Sequence, residues 1–377
     1  MKFLEHVKQQ KRWFSVQNNK YLQLTIIHFT LPKMKAKQLD YINIGLMVFA
    51  FIVAVKLPFH LFLMSYAILG PLHYLTEIGW LDKKSYFSTN KSDAWILVGL
   101  CGLVTAAFSF YQFGSFEFTK GWMEAINNSK FKPITDFIMK YEKSFIFLAF
   151  YAAVMMTFVK KTNLRYGLMA VGIVIAYFLN GINAYFMIIG IMLPTVIHVY
   201  LFTGAFILFG ALKSRSVSGY ASLMVFILIL FLIVMQRPKP QDYVLTGYWL
   251  ETMKASNFHG INQAISQFFG WNKGTFFVFS PLGIKMQIFI AFAYTYHYLN
   301  WFSKTKIINW HQVSKPRLYT AGIIWVASVA LYFYDYKIGL AALFFLSVLH
   351  VFLEFPLNHL TFVGIYKELK NRILPAK

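Results

Sequence analysis

Two glutamates follow histidines by four residues: His73 and Glu77 in "LGPLHYLTEIGWL", and His350 and Glu354 in "LSVLHVFLE". On a helix this spacing stacks both side chains on one face. Both stretches lie in apolar runs, where an ionisable residue is costly and is read first as functional. Two more histidines sit in similar runs, His198 in "LPTVIHVY" and His297 in "TYHYLNW". Imidazole is a common ligand of zinc, iron and copper, and a ligating ring usually has its second nitrogen held by a carboxylate or carbonyl. Four imidazoles with two carboxylates one turn away supply both kinds of partner.

A buried metal centre is therefore expected, with His73, His198, His297, His350, Glu77 and Glu354 as candidate ligands. If only the histidines ligate, the glutamates orient the rings. If the glutamates ligate too, there are donors for two ions, as in di-iron sites built from facing helices. Ligand type favours iron or zinc without deciding between them. Tyr294, Glu77 and Glu354 are the candidate catalytic groups. Tyr294 and Asn300 flank His297 at three residues on either side, Thr195 precedes His198 by three, and Ser347 precedes His350 by three. Pro194, and Gly70 with Pro71, predict irregular helix just before His198 and His73. The plainer expectation is that these histidines and glutamates only bond helix to helix.

The elements that must carry such a site are membrane helices. The chain of 377 residues is 58% hydrophobic and 13% charged, with a mean hydropathy of +0.53, too little polar surface for a soluble domain. Runs able to cross a hydrocarbon layer of about 30 Å lie near 41–57, 59–80, 95–113, 144–159, 165–180, 184–212, 219–236, 281–302, 318–334 and 337–360. The expected fold is all-α, a polytopic transmembrane helical bundle of about ten spans. Its divisions are a basic interfacial segment 1–40, a membrane domain 41–360 with long outer loops 114–143 and 237–280, and a basic tail 361–377. The outer loop 237–280 is expected to pack over the outer face, as surface structure or as a lid.

Basic segments such as "DKKSYFSTNK", "KKTNLR", "KSRS" and "SKTKIINWHQVSKPR" fall on one side of a ten-span topology, which makes that side and both termini cytoplasmic. The four histidines then sit on spans 2, 6, 8 and 10, all running from outside to inside. Each lies roughly 20 to 24 Å below the outer face at 1.5 Å per residue. Four rings at one depth on parallel-running helices form a layer. Of the acidic residues, only Glu77 and Glu354 fall within the spans as drawn from sequence.

The net charge of +22 is assigned to topology and anionic lipid, with no nucleic-acid partner. The single cysteine, Cys101, allows neither an intrachain disulfide nor a cysteine-based metal site. No cleavable leader is expected in the first forty residues. His60 and His359 read as interfacial, and His259 and His311 as loop residues. No HExxH or GxxxxGK[ST] motif is present, nor the HxxxH and HxxHH boxes of membrane desaturases. The expected location is an integral membrane site, the bacterial inner membrane, with membrane lipids and a lipophilic small-molecule substrate as partners.

Single histidines in "GPLHYLTE", "LPTVIHVY", "TYHYLNW" and "SVLHVFLE", on separate membrane helices without an HxxxH box, resemble the site of the Brp/Blh-type β-carotene dioxygenases. The resemblance implies one non-haem ferrous iron on His73, His198, His297 and His350. It also implies oxygen-dependent cleavage of a carotenoid. The chain departs from that pattern in its greater length, its 237–280 loop and its two HxxxE pairs. An oxygen-dependent oxidation of an apolar, lipid-phase substrate is thus the leading expectation. A metal-ion or proton-coupled transporter, a haem-binding electron carrier and a zinc-dependent lipid hydrolase are the alternatives.

Overall fold

The computed structural model describes residues 33–84, 91–114, 116–256, 258–268, 270, 278–304 and 314–373. Among these all regular structure is helical. The helices are α1 (Lys33–Lys56); α2, in three parts (Pro58–Met64, Ser65–Leu69 and Gly70–Lys84); α3 (Lys91–Phe113); α4 (Lys120–Asn127); and α5 (Lys132–Lys140). There follow α6 (Glu142–Phe158), α7 (Thr162–Leu179), α8 in three parts (Asn183–Tyr185, Phe186–Phe202 and Thr203–Ser214) and α9 (Val217–Met235). The last are α10 (Gly247–Ala255), α11 (His259–Phe268), α12 (Pro281–Ser303), α13 (Lys315–Tyr334) and α14 (Tyr336–Ile373). The segment 1–32, His311 and residues 374–377 lie outside the described residues.

Eight helices among the described residues are long and apolar enough to cross a membrane. The other two expected spans are helical as well. Helix α6 has 17 residues, at the short end of what spans a hydrocarbon layer. Helix α12 carries Gln287, Thr295, His297 and Asn300, all buried. A helix walled in by its neighbours need not be lipophilic, which is why its polarity is tolerated.

Several boundaries differ from the sequence expectation. Helix α1 starts at Lys33, and α14 runs unbroken to Ile373, so most of the expected tail 361–377 continues the last helix. Arg372 anchors its end, donating to the Tyr220 hydroxyl and the Leu212 carbonyl. Asp40 and Asp93 fall within membrane-length helices, beside the two glutamates. The extra acid on α3 has a clear reason. Asp93 is fully buried and receives Arg165 from α7 at 3.0 and 3.1 Å. Burying either charge alone would be prohibitive, so the pair enters together.

The expected outer loops hold short helices. In 237–280, Leu245, Met253, Phe258 and Ile265 are buried in the same core as α1, α2 and α12. Helix α11 lies against α8 and α12.

Helix starts follow local chemistry. The Ser280 and Ser216 hydroxyls accept from the amides of Gly283 and Gly219 at 3.0 and 3.3 Å, capping α12 and α9. Pro281 takes the first turn of α12, where no amide donor is needed. In lipid, helices are held by close packing rather than by escape from water. Ala149, Ala152 and Ala153 accordingly give α6 a small-residue face among α3, α7 and α14.

Among the described residues the helix backbone widens in two places. Ser65–Leu69 in α2 and Phe186–Phe202 in α8 form π-turns, the first ending just before Gly70 and the second containing Pro194 and His198. These are the sites where Gly70, Pro71 and Pro194 predicted irregularity, and such turns often accompany functional residues. Helix α14 spans both packed clusters, with Leu340 and Leu343 in one and Val348–Phe355 in the other.

Candidate metal centre

The four histidines expected in one layer converge. Neighbouring ring centres are 4.7 Å apart for His73 and His297, 4.9 Å for His297 and His198, 5.2 Å for His198 and His350, and 5.2 Å for His350 and His73. The rings thus close a four-sided circuit, one from each of α2, α12, α8 and α14. All four are buried.

Three of them form the tighter group. One nitrogen each from His73, His297 and His350 lies within 4.8 Å of the others, close enough for one ion. His73 Nε2 and His297 Nε2 are 3.1 Å apart. Two nitrogens at about 2.0–2.1 Å from a shared tetrahedral ion would be separated by about 3.3 Å, so this spacing suits co-ligands. His198 stands beside the group, with its Nδ1 3.3 Å from Glu354 Oε2.

Glu77 Oε2 is 3.0 Å from His73 Nε2, the nitrogen that faces His297. A carboxylate that only oriented the ring would take the other nitrogen, Nδ1. Glu77 Oε2 has no hydrogen bond in spite of this approach, and the same holds for Glu354 Oε2 and both nitrogens of His198. These atoms lie close without bonding one another, as co-ligands of an ion do. Leaving such buried groups unsatisfied costs about 1–3 kcal/mol each. A bound cation would satisfy them, so the donor set fits a metal ion.

His297 has a second partner that orients its ring. Thr203 Oγ1, one residue past the wide turn of α8, is 2.9 Å from His297 Nδ1. With Nδ1–H donating to that hydroxyl, Nε2 keeps its lone pair for an ion. Around the rings lies an aromatic collar. Tyr74 stacks on His350 at 5.3 Å, and Tyr298 and Trp301 approach His73 at 5.1 and 5.5 Å. Trp301 Nε1 is held by the Thr76 hydroxyl at 3.0 Å. Gly70 makes room for this collar, since a Cβ there would meet the Tyr298 hydroxyl and Tyr74 at 3.3 Å.

The other flanking residues take different places. Tyr294 packs in an aromatic cluster, 5.2 Å from Phe62 and 6.1 Å from Tyr66. Ser347 pairs with the Tyr66 hydroxyl at 3.2 Å, and Thr195 donates to the Ile191 carbonyl. Asn300 lines the cavity below His297. His60 packs edge-on against Trp249 at 4.9 Å, His359 against Phe150 at 4.7 Å, and His259 opens α11.

Sequence reasoning missed Thr203, Tyr74, Trp301 and Lys304. Tyr74 and Trp301 carried a signal, being next to His73 and four residues after His297. Thr203 touches His297 only through the packing of α8 on α12.

A cavity of about 200 Å³ reaches the centre from the helix ends that carry Lys304 and Ser214. Its inner end is lined by His73, His297, Glu77 and Glu354, and one wall by Phe206, Ile207, Phe209, Leu357 and Leu360. Lys304 lies within electrostatic reach of Glu354, Asp40 and Glu77.

No protein-family model, curated protein or solved structure matches the chain.

Proposed function

We propose that this protein is an intramembrane metalloenzyme that binds Fe(II) on His73, His297 and His350, with Glu77, Glu354 and His198 completing the centre, and oxidises or cleaves an apolar lipid-phase substrate with oxygen. The observation that carries this reading is that His73 Nε2 lies 3.1 Å from His297 Nε2 and 3.0 Å from Glu77 Oε2, in a buried site. Ferrous iron, when bound, supplies the electron chemistry with oxygen. The chain's own residues hold and orient the donors, exclude water with Tyr74, Tyr298 and Trp301, and receive the substrate along the apolar wall of the cavity. A carotenoid is the substrate suggested by the resemblance to the Brp/Blh-type dioxygenases.

In this reading the chain crosses the membrane about ten times, with both termini and the mouth of the cavity on the cytoplasmic side, as expected of a bacterial inner-membrane protein. Membrane lipid surrounds it. The test is oxygen consumption and product formation by purified, iron-loaded protein supplied with β-carotene and with extracted membrane lipid. Oxygen-dependent product that disappears in His297→Ala supports the reading. Product that forms equally without oxygen points to a zinc-dependent hydrolase instead, and ion flux into liposomes without product points to a transporter.

A further inference from the structure

The cavity below the histidines has a charge pattern at odds with the rest of the chain. The protein carries 36 basic and 14 acidic residues, a field that repels cations. Yet among the described residues Asp40, Glu77 and Glu354 all line this one cavity, against a single lysine, Lys304. Asp40 stands near its mouth, on the first turns of α1, its Oδ2 accepting from Ser216 at 3.2 Å and Ser218 at 2.7 Å. Glu77 and Glu354 lie at its inner end, 3% and 2% exposed, each with an oxygen that no donor satisfies. Lys304 sits between, one residue past the end of α12 and seven residues below His297. That is roughly 10 Å along the helix.

We propose that this cavity is the loading route of the metal centre, through which a divalent cation enters from the Lys304 end, guided by Asp40, and displaces Lys304 as the counter-ion of Glu77 and Glu354. The proposal rests on the metal-centre reading and adds a direction and a mechanism of filling. Before loading, the single ammonium offsets part of the negative charge of the two carboxylates. The incoming cation takes over that task at shorter range, through direct ligation. The two charged groups along the way should then act with opposite signs. Asp40 attracts the cation and speeds entry, while Lys304 competes with it and slows entry.

The test is the rate at which full-length protein, stripped with a chelator, takes up Co²⁺, followed by its ligand-field absorbance. Asp40→Asn should slow loading about tenfold, within the range of electrostatic steering, and Lys304→Gln should speed it, while both variants fill to wild-type stoichiometry. A variant that leaves the helix packing untouched repeats the test. Cys101 is buried, so Ser214→Cys at the exposed mouth can be modified alone. A cationic thiol reagent there should slow loading, and an anionic one should speed it. Equal rates in all forms, with normal final stoichiometry, would overturn the route while leaving the centre intact. A wild type that never fills would overturn both.

Discussion

His73 and His297 stand on separate helices 224 residues apart in sequence, with their Nε2 atoms 3.1 Å from each other. Each nitrogen is aimed there by a different device. The wide turn Ser65–Leu69 and Gly70 lie just before His73, and the Thr203 hydroxyl bonds Nδ1 of His297 and so orients its ring. Two imidazoles held in this way have the spacing that sharing one ion would require.

Removing the Thr203 hydroxyl should therefore weaken the centre without emptying the fold. Thr203→Val keeps the shape of the side chain and loses the hydrogen bond to His297 Nδ1. Losing such an orienting partner typically costs 10- to 100-fold in metal affinity. Competition against a graded chelator measures the change. An unchanged affinity would show that Thr203 does not orient the ring.

Glu77→Gln and Glu354→Gln separate ligand from ring-holder. The approach of Glu77 Oε2 to the His73 nitrogen that faces His297 predicts that Glu77→Gln lowers metal affinity beyond the range expected for Thr203→Val. Glu354, beside His198, should have the smaller effect. The same chelator competition ranks the three variants, and the reverse order would assign the principal carboxylate to α14.

Gly70 should tolerate little. A Cβ there meets the Tyr298 hydroxyl and Tyr74 at 3.3 Å, and overpacking of this kind costs about 1–3 kcal/mol. Gly70→Val should lower thermal stability by that order and weaken metal binding together, because the displaced collar packs on His73 and His350. A loss of stability with full metal affinity would uncouple the collar from the centre.

The buried Asp93 and Arg165 pair makes a prediction about stability alone. Arg165→Met leaves a carboxylate buried without its partner, which costs about 3–5 kcal/mol. The double variant Asp93→Leu with Arg165→Met removes both charges and should recover most of that loss. Unfolding of the detergent-solubilised protein reads both. Equal destabilisation in single and double variants would mean that the pair acts through shape rather than charge.

The all-helical plan and the convergence of the four histidines were legible because the same periodicity reports both. A histidine or glutamate inside a twenty-residue apolar run declares its helix and its depth at once, and HxxxE declares its face. The runs 59–80 and 184–212 even carried their own irregularities in Gly70, Pro71 and Pro194. Cross-helix pairings were not legible. Glu354 was expected to serve His350 on its own helix and instead approaches His198 on α8, because the packing of α8 against α14 decides which face meets which. Ser347 and Thr195 likewise found other partners. Asp93 was drawn outside its span because a charge two residues before an apolar run reads as a boundary. Only the arrival of Arg165 from α7 lets it lie within the helix.

The central claim is that His73, His297 and His350 hold a metal ion, and elemental analysis of the purified protein tests it most directly. Wild type should carry iron, close to one ion per chain where only the histidine group fills. His73→Ala, His297→Ala and His350→Ala should each lose most of it while remaining folded by circular dichroism. A wild type free of iron and zinc after reconstitution, or occupancy unchanged in all three variants, would contradict the account.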